Sequence, residues 1–192
     1  MSGFLLHLLR HGPPLRTGLL LGCTDEPPLD AACPKLLARV HALAVERIVT
    51  SDLKRASVSA EILAEARGLP LSVDPRWREL HFGMWDGLAP ATLPREALER
   101  FWADPDACPP PGGERWSDLR SRVSDAIGGI SDHTLVITHA GAMRAALSVL
   151  TGLDHRGVWA LDLPYGALLT LRVWPGDHLS AQVIGLRAED MG

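Results

Sequence analysis

Two short apolar runs each lead into a histidine: FLLHLLR ends at Arg10-His11-Gly12, and TLVIT runs into His139. Each run reads as a buried strand broken by a loop, since a nearly continuous apolar stretch bounded by glycine or proline suits a strand covered on both faces. The ends of parallel strands gather at one sheet edge, so the imidazoles of His11 and His139 can meet there. Arg10 sits at the same strand end, and Arg55 falls in the first turn of a helix that follows a further strand. Guanidinium groups match phosphate oxygens in bidentate geometry, and imidazole acts as nucleophile or hydrogen-bond donor. Together these residues would make an anion pocket suited to a phosphoryl group.

Each residue taken singly also has a structural reading. Arg-His-Gly is an ordinary strand-to-loop turn with solvated ends, His139 a core histidine bonded to backbone, and Arg55 a cation on a helix surface. Thr17 can donate a hydroxyl to phosphate or simply be solvated in a loop. Glu79 lies in WRELHFGMWDG, an aromatic and glycine-bearing loop after a strand end, where active-site loops of open sheets gather. Beside it, His81 and Trp85 read as loop anchors.

The elements that must position these groups alternate between strand and helix. Residues 4–9 form the first strand, and residues 31–44 show helical spacing of Leu36, Leu37, Val40 and Leu43. Residues 47–50 form a second strand, followed by a Ser51-Asp52 turn that can cap a helix closed by Gly68 and Pro70. LSVDP is a third strand. Residues 88–113 hold a short helix at 94–103 and the breaker-rich DPDACPPPGG, the pattern of a lid or cap. Helices are expected at 116–127 and 142–150, with TLVIT between them. GALLTLRVW and LSAQVIGL then form an antiparallel hairpin through Pro175-Gly176-Asp177. The implied fold is an α/β three-layer sandwich: helices on both faces of a mostly parallel sheet of about six strands, with one antiparallel strand near an edge.

Length and composition bound the rest. A chain of 192 residues with neither repeat nor linker is expected to form a single domain over 1–192. The net charge of -4, without blocks of like charge, excludes a sequence-wide attraction to nucleic acid or membrane, so an anion site has to be built locally. Cys23, Cys33 and Cys108 are odd in number and widely spaced, which argues against a disulfide framework and a zinc site and fits a reducing cytoplasm. No metal or cofactor is expected. Edge strands, with Trp159 and Trp174 as exposed rings, allow a homodimer as well as internal packing.

The motifs resemble those of the histidine phosphatase superfamily, the phosphoglycerate mutase-like proteins, in order and across nearly the whole chain. LLRHG at residues 8–12 is similar to the signature whose arginine binds phosphate and whose histidine is phosphorylated, which implies those roles for Arg10 and His11. GCTDEPPLD resembles the loop before the family's first helix. TSDLKRASVSAEILA resembles the second motif, placing phosphoryl binding on Arg55; RELHFGMWDG places proton donation on Glu79; VITHAGAMR places a phosphoryl contact on His139. PPGGERWSDLRSRV is similar to the branch that includes α-ribazole phosphatases and broad small-molecule phosphatases. The chain departs from the pattern at Pro13, Pro14, Thr17 and Ala140, where many members carry other residues.

The resemblance implies a metal-independent phosphomonoester hydrolase for a small phosphorylated metabolite, acting through phosphohistidine on His11 with Glu79 as general acid and base. Such a nucleophile must be neutral, with its second nitrogen held by an acceptor such as a backbone carbonyl of the next turn, and Gly12 would let that turn fold back. Two alternatives stand beside it: a phosphoglycerate mutase-type phosphotransferase, and a noncatalytic module that binds a phospho-ligand or a protein.

Overall fold

The β-branched and leucine-rich runs pair into one six-stranded sheet, described here from a computed structural model that covers residues 3–176 and 180–188. The strands are β1 Phe4–Arg10, β2 Arg47–Thr50, β3 Leu71–Val73, β4 Thr134–Thr138, β5 Leu168–Trp174 and β6 Ser180–Arg187, in the order β3-β2-β4-β1-β5-β6. β3, β2, β4 and β1 are mutually parallel. β5 pairs antiparallel with both β1 and β6, so it alone runs against the others, one place in from the edge. The hairpin expected at this edge is present, although Asp177 of its turn lies outside the described residues.

Alternation along the strands divides the core in two. Leu6 and Leu8 of β1, Val49 of β2 and Val136 of β4 face one layer, packed by α4 (Trp116–Gly128) and α5 (Ala140–Thr151). Leu9, Ile48, Leu135 and Ile137 face the other, packed by α1 (Pro34–Val40) and α2 (Lys54–Arg67). The three-layer α/β/α sandwich follows. No helix among the described residues is long and apolar enough to cross a membrane.

Local chemistry moved several boundaries. The helix expected over 31–44 is confined to α1, because Pro34 opens it and Arg67 reaches across to bond the carbonyls of Val40 and Leu43, ending the ladder there. Ser51 and Asp52 do not cap α2. Leu53 holds the cap position, Asp25 accepts from Lys54 N at 2.7 Å, and Asp52 is engaged by Arg78. α5 begins at Ala140, two residues before the expected start, so the helix opens directly after His139. The helix of the 88–113 segment is α3, Arg95–Ala103. A short helix, α6 (His155–Trp159), was not expected; Asp154 caps it through Gly157 N.

One buried polar residue of β1 carries a consequence for stability. His7 is buried with Nδ1 against Thr170 Oγ1 at 3.0 Å, and burial, with His133 a smaller cause, pushes its pKa down to about 4. The unfolded chain takes up this proton near pH 6.5, while the folded chain stays neutral until about 4. Stability should therefore fall as pH drops through that window, by up to about 1.4 kcal/mol per pH unit from His7. Urea unfolding across pH 7 to 4.5 should show His7→Leu flattening the slope by one proton; an unchanged slope would contradict the assignment.

Candidate active site

The C-terminal ends of the four parallel strands converge. His11 follows β1, and its amide donates to Thr138 O at 2.9 Å; Ser51 after β2 donates to Ile137 O at 3.1 Å. These cross-strand bonds fix the approach of the loops to one another before any side chain is considered. The ring centroids of His11 and His139 lie 5.0 Å apart, as the two strand ends implied.

His11 is buried, and its Nδ1 lies 2.6 Å from Gly12 O. A carbonyl only accepts, so Nδ1 carries the proton and Nε2 keeps its lone pair. Burial, then the charges of Arg55 and Arg10, hold this imidazole well below its ordinary pKa, against a smaller opposite effect of the Gly12 carbonyl. His11 is thus a neutral base at physiological pH. The acceptor is the one expected, but the turn has no need of glycine: Gly12 has no positive φ, and a Cβ there would meet only Leu36 and Cys33 at ordinary contact distance.

His139 is completely buried and has the opposite tautomer. Arg55 Nε donates to its Nδ1 at 3.3 Å, which leaves the proton on Nε2. That Nε2 is buried and meets no acceptor among the described residues. Burial, followed by Arg55 and His11, keeps this ring neutral too, well below its ordinary pKa.

Arg55 is only 1% exposed, so it is not the surface cation that the helix position alone allowed. Its Nη2 bonds the carbonyls of Leu21 and Gly22 at 2.8 Å each, and Nη1 bonds Thr24 O at 2.7 Å. With the bond to His139, four of its five N–H donors are engaged and one remains. Arg10 reaches Leu163 O through Nη1 at 2.6 Å and lies 4.0 Å over the Tyr165 ring, while its buried Nε meets no acceptor. Burial lowers the pKa of both arginines from the usual value, yet a guanidinium stays charged in proteins.

Glu79 is held at both ends. Its Oε1 accepts from Leu80 N at 2.7 Å and its Oε2 from Gly141 N at 3.0 Å, in the first turn of α5. A Cβ at position 141 would sit 2.0 Å from Oε1, so any larger residue there would displace the carboxylate from this position. Behind it, Arg122 bonds the carbonyls of Arg76, Arg78 and Glu79 and pairs with Glu114, which clamps the whole loop.

Arg10, His11, Arg55 and Glu79 line a single cavity of about 220 Å³; His139 lies just behind its wall, against His11. Thr17 does not join them: it is exposed in the loop beyond and is absent from the lining. His81 is exposed, and Trp85 is buried as an anchor. Sequence reasoning missed Arg144 and Tyr165, both of which line the cavity. A lone arginine within the otherwise apolar AGAMRAALSVL was the available signal, since charges on buried helices are rarely idle. Tyr165 offered only its place between Pro164 and Gly166. No cluster of three or more histidine, cysteine or acidic side chains suited to a metal occurs among the described residues.

Comparison with known proteins gives a family and several relatives. The family profile of the histidine phosphatase superfamily (branch 1) matches residues 6–183. Glucosyl-3-phosphoglycerate phosphatase of Mycobacterium tuberculosis is 32% identical over 166 residues, covering 74% of this chain and 73% of its own. Adenosylcobalamin/alpha-ribazole phosphatase of Escherichia coli is 26% identical over 175 residues, covering 84% and 86%. Among solved structures, a mycobacterial glucosyl-3-phosphoglycerate phosphatase in complex with VO3 superimposes with a TM-score of 0.85 at 25% identity, over 97% of this chain and 100% of that one.

Arg55→Met should lower the unfolding free energy by about 3 kcal/mol, because it leaves three loop carbonyls without their donor. Urea titration measures the loss, and a change below about 1 kcal/mol would show that water replaces the guanidinium at little cost.

Proposed function

The chain belongs to the histidine phosphatase superfamily, and on that premise we propose that it hydrolyses small phosphomonoesters through a phosphohistidine formed on His11. The observation that carries this reading is that two buried N–H donors without acceptors among the described residues, Arg10 Nε and His139 Nε2, belong to the chain neighbour and the ring neighbour of His11, a neutral histidine whose Nε2 keeps its lone pair. Buried donors left unpaired are costly, and a phosphoryl group supplies the missing acceptors. Three guanidinium groups against one carboxylate leave the cavity with the excess positive charge that a phosphate dianion neutralises.

In this mechanism Arg10, Arg55 and His139 hold the phosphoryl oxygens while His11 Nε2 attacks phosphorus in line. The bond from phosphorus to the ester oxygen breaks, and Glu79 delivers its proton to the departing alkoxide. Glu79 then takes a proton from water, whose oxygen displaces His11 and releases inorganic phosphate. The charge on the equatorial oxygens is met by guanidinium groups, so the reading requires no metal. The cavity is of a size for a small organic phosphate, and both relatives above are named as phosphatases.

The test uses radiolabelled p-nitrophenyl phosphate with an alkaline quench, under which phosphohistidine survives. His11→Ala should lose turnover by about a thousandfold or more while remaining folded. Glu79→Gln should still be phosphorylated, because p-nitrophenolate leaves without an acid, but should release phosphate about a hundredfold more slowly and so accumulate label on His11. Label on another residue, or full turnover in His11→Ala, sinks the mechanism. Free phosphate rather than an isomerised ester separates hydrolysis from mutase chemistry, and exhaustive chelation should leave the rate unchanged. Since burial keeps His11 neutral well below pH 6.5, any acid-side loss of kcat/KM that belongs to His11 should lie below that value.

A further inference from the structure

Beyond the phosphoryl end, the cavity is walled by rings. Phe82, Phe101, Trp102, Trp116 and Trp159 all line it, three of the chain's six tryptophans among them. They touch in sequence: Phe82 to Phe101 at 6.3 Å, Phe101 to Trp102 at 4.6 Å, Trp102 to Trp159 at 6.0 Å and Trp159 to Trp116 at 4.9 Å, mostly edge to face. Four different segments contribute these rings: the loop after Glu79, α3, α4 and α6. Convergence from so many parts of the chain is more than one helix needs to bury its apolar face.

The polar inventory of the wall points the same way. Among the described residues no serine, threonine, aspartate, asparagine or glutamine lines the cavity; the chain has no asparagine at all and its one glutamine, Gln182, lies on β6. The five rings offer only the indole N–H groups of their tryptophans, with Arg144 over the Trp159 ring at 5.4 Å as the cation beside them, so a sugar or polyol lying along the rings would leave most of its hydroxyls unpaired, which is unfavourable for each. A flat apolar ring would gain burial and edge-to-face contact instead. Phe101 is fully buried, whereas its neighbour Trp102 remains 45% exposed, a large ring presented to an entering ligand by α3.

We propose that this wall is the leaving-group subsite and that the preferred substrates are phosphomonoesters of alcohols carrying an aromatic ring. The assignment rests on the phosphatase reading above and names the part of the substrate which that reading leaves open. Trp102 is the residue whose contact with the ring is most separable from the fold, because it is the most exposed of the five.

The experiment compares 2-phenylethyl phosphate with glycerol 1-phosphate, two esters that both release a primary alkoxide and so differ little in intrinsic reactivity. The unmutated protein should prefer the phenylethyl ester by about tenfold or more in kcat/KM. Trp102→Ala should remove most of that preference and Trp102→Phe should keep it. Direct calorimetric binding of both esters to His11→Ala should give the same order without turnover. Equal kcat/KM and equal binding for the two esters, or an unchanged preference in Trp102→Ala, overturns the subsite while leaving the phosphatase standing. Selective binding of the phenylethyl ester with hydrolysis of neither ester supports the subsite and overturns the phosphatase.

Discussion

A single buried guanidinium organises the site. Arg55 is delivered by the first turn of α2, yet its hydrogen bonds run to the carbonyls of Leu21, Gly22 and Thr24 in a distant loop and to the ring of His139 after β4. Removing such a group from water is expensive unless its donors are nearly all satisfied, and here four of five are. The loop carbonyls therefore hold the cation, and the cation holds the loop. Because Arg55 also sets the tautomer of His139, the same contact decides which nitrogen of that ring carries the proton.

The electrostatic consequence is that burial beside fixed cations keeps two histidines neutral. Proximity of Arg10 and Arg55 penalises an imidazolium at His11, and the Gly12 carbonyl selects the nitrogen that keeps the proton. An exposed histidine would titrate through physiological pH and lose its lone pair for part of the time. The same positive field thus also keeps the lone pair of His11 Nε2 free. Glu79 is fixed in place by backbone donors from Leu80 and Gly141 and by the clamp of Arg122 on its own carbonyl.

The aromatic wall and the phosphoryl end depend on different parts of the chain. Strand ends of a parallel sheet position His11, Arg10 and His139, which ties the chemistry to the most rigid part of the fold. The rings come from the loop after Glu79 and from α3, α4 and α6.

Much of this was legible before any coordinates. Apolar runs and their breakers set the strand order in sequence, and the motifs of Arg10, His11, Arg55, Glu79 and His139 pointed to one pocket, which the structure brings together at one sheet edge, because local pattern and motif are properties of the chain itself. Helix ends were less legible: α1 stops where Arg67, far along the chain, takes its last carbonyls, and α2 is capped by Asp25 rather than by Ser51 or Asp52. Thr17 lay near the motif in sequence but is exposed, while Arg144 and Tyr165 joined the cavity from positions that no short-range spacing connects to His11. Which nitrogen of each histidine carries its proton, and which rings meet in the wall, are set by contacts between residues distant in sequence. Only the tertiary structure decides those, since they are energies of juxtaposition and not of composition.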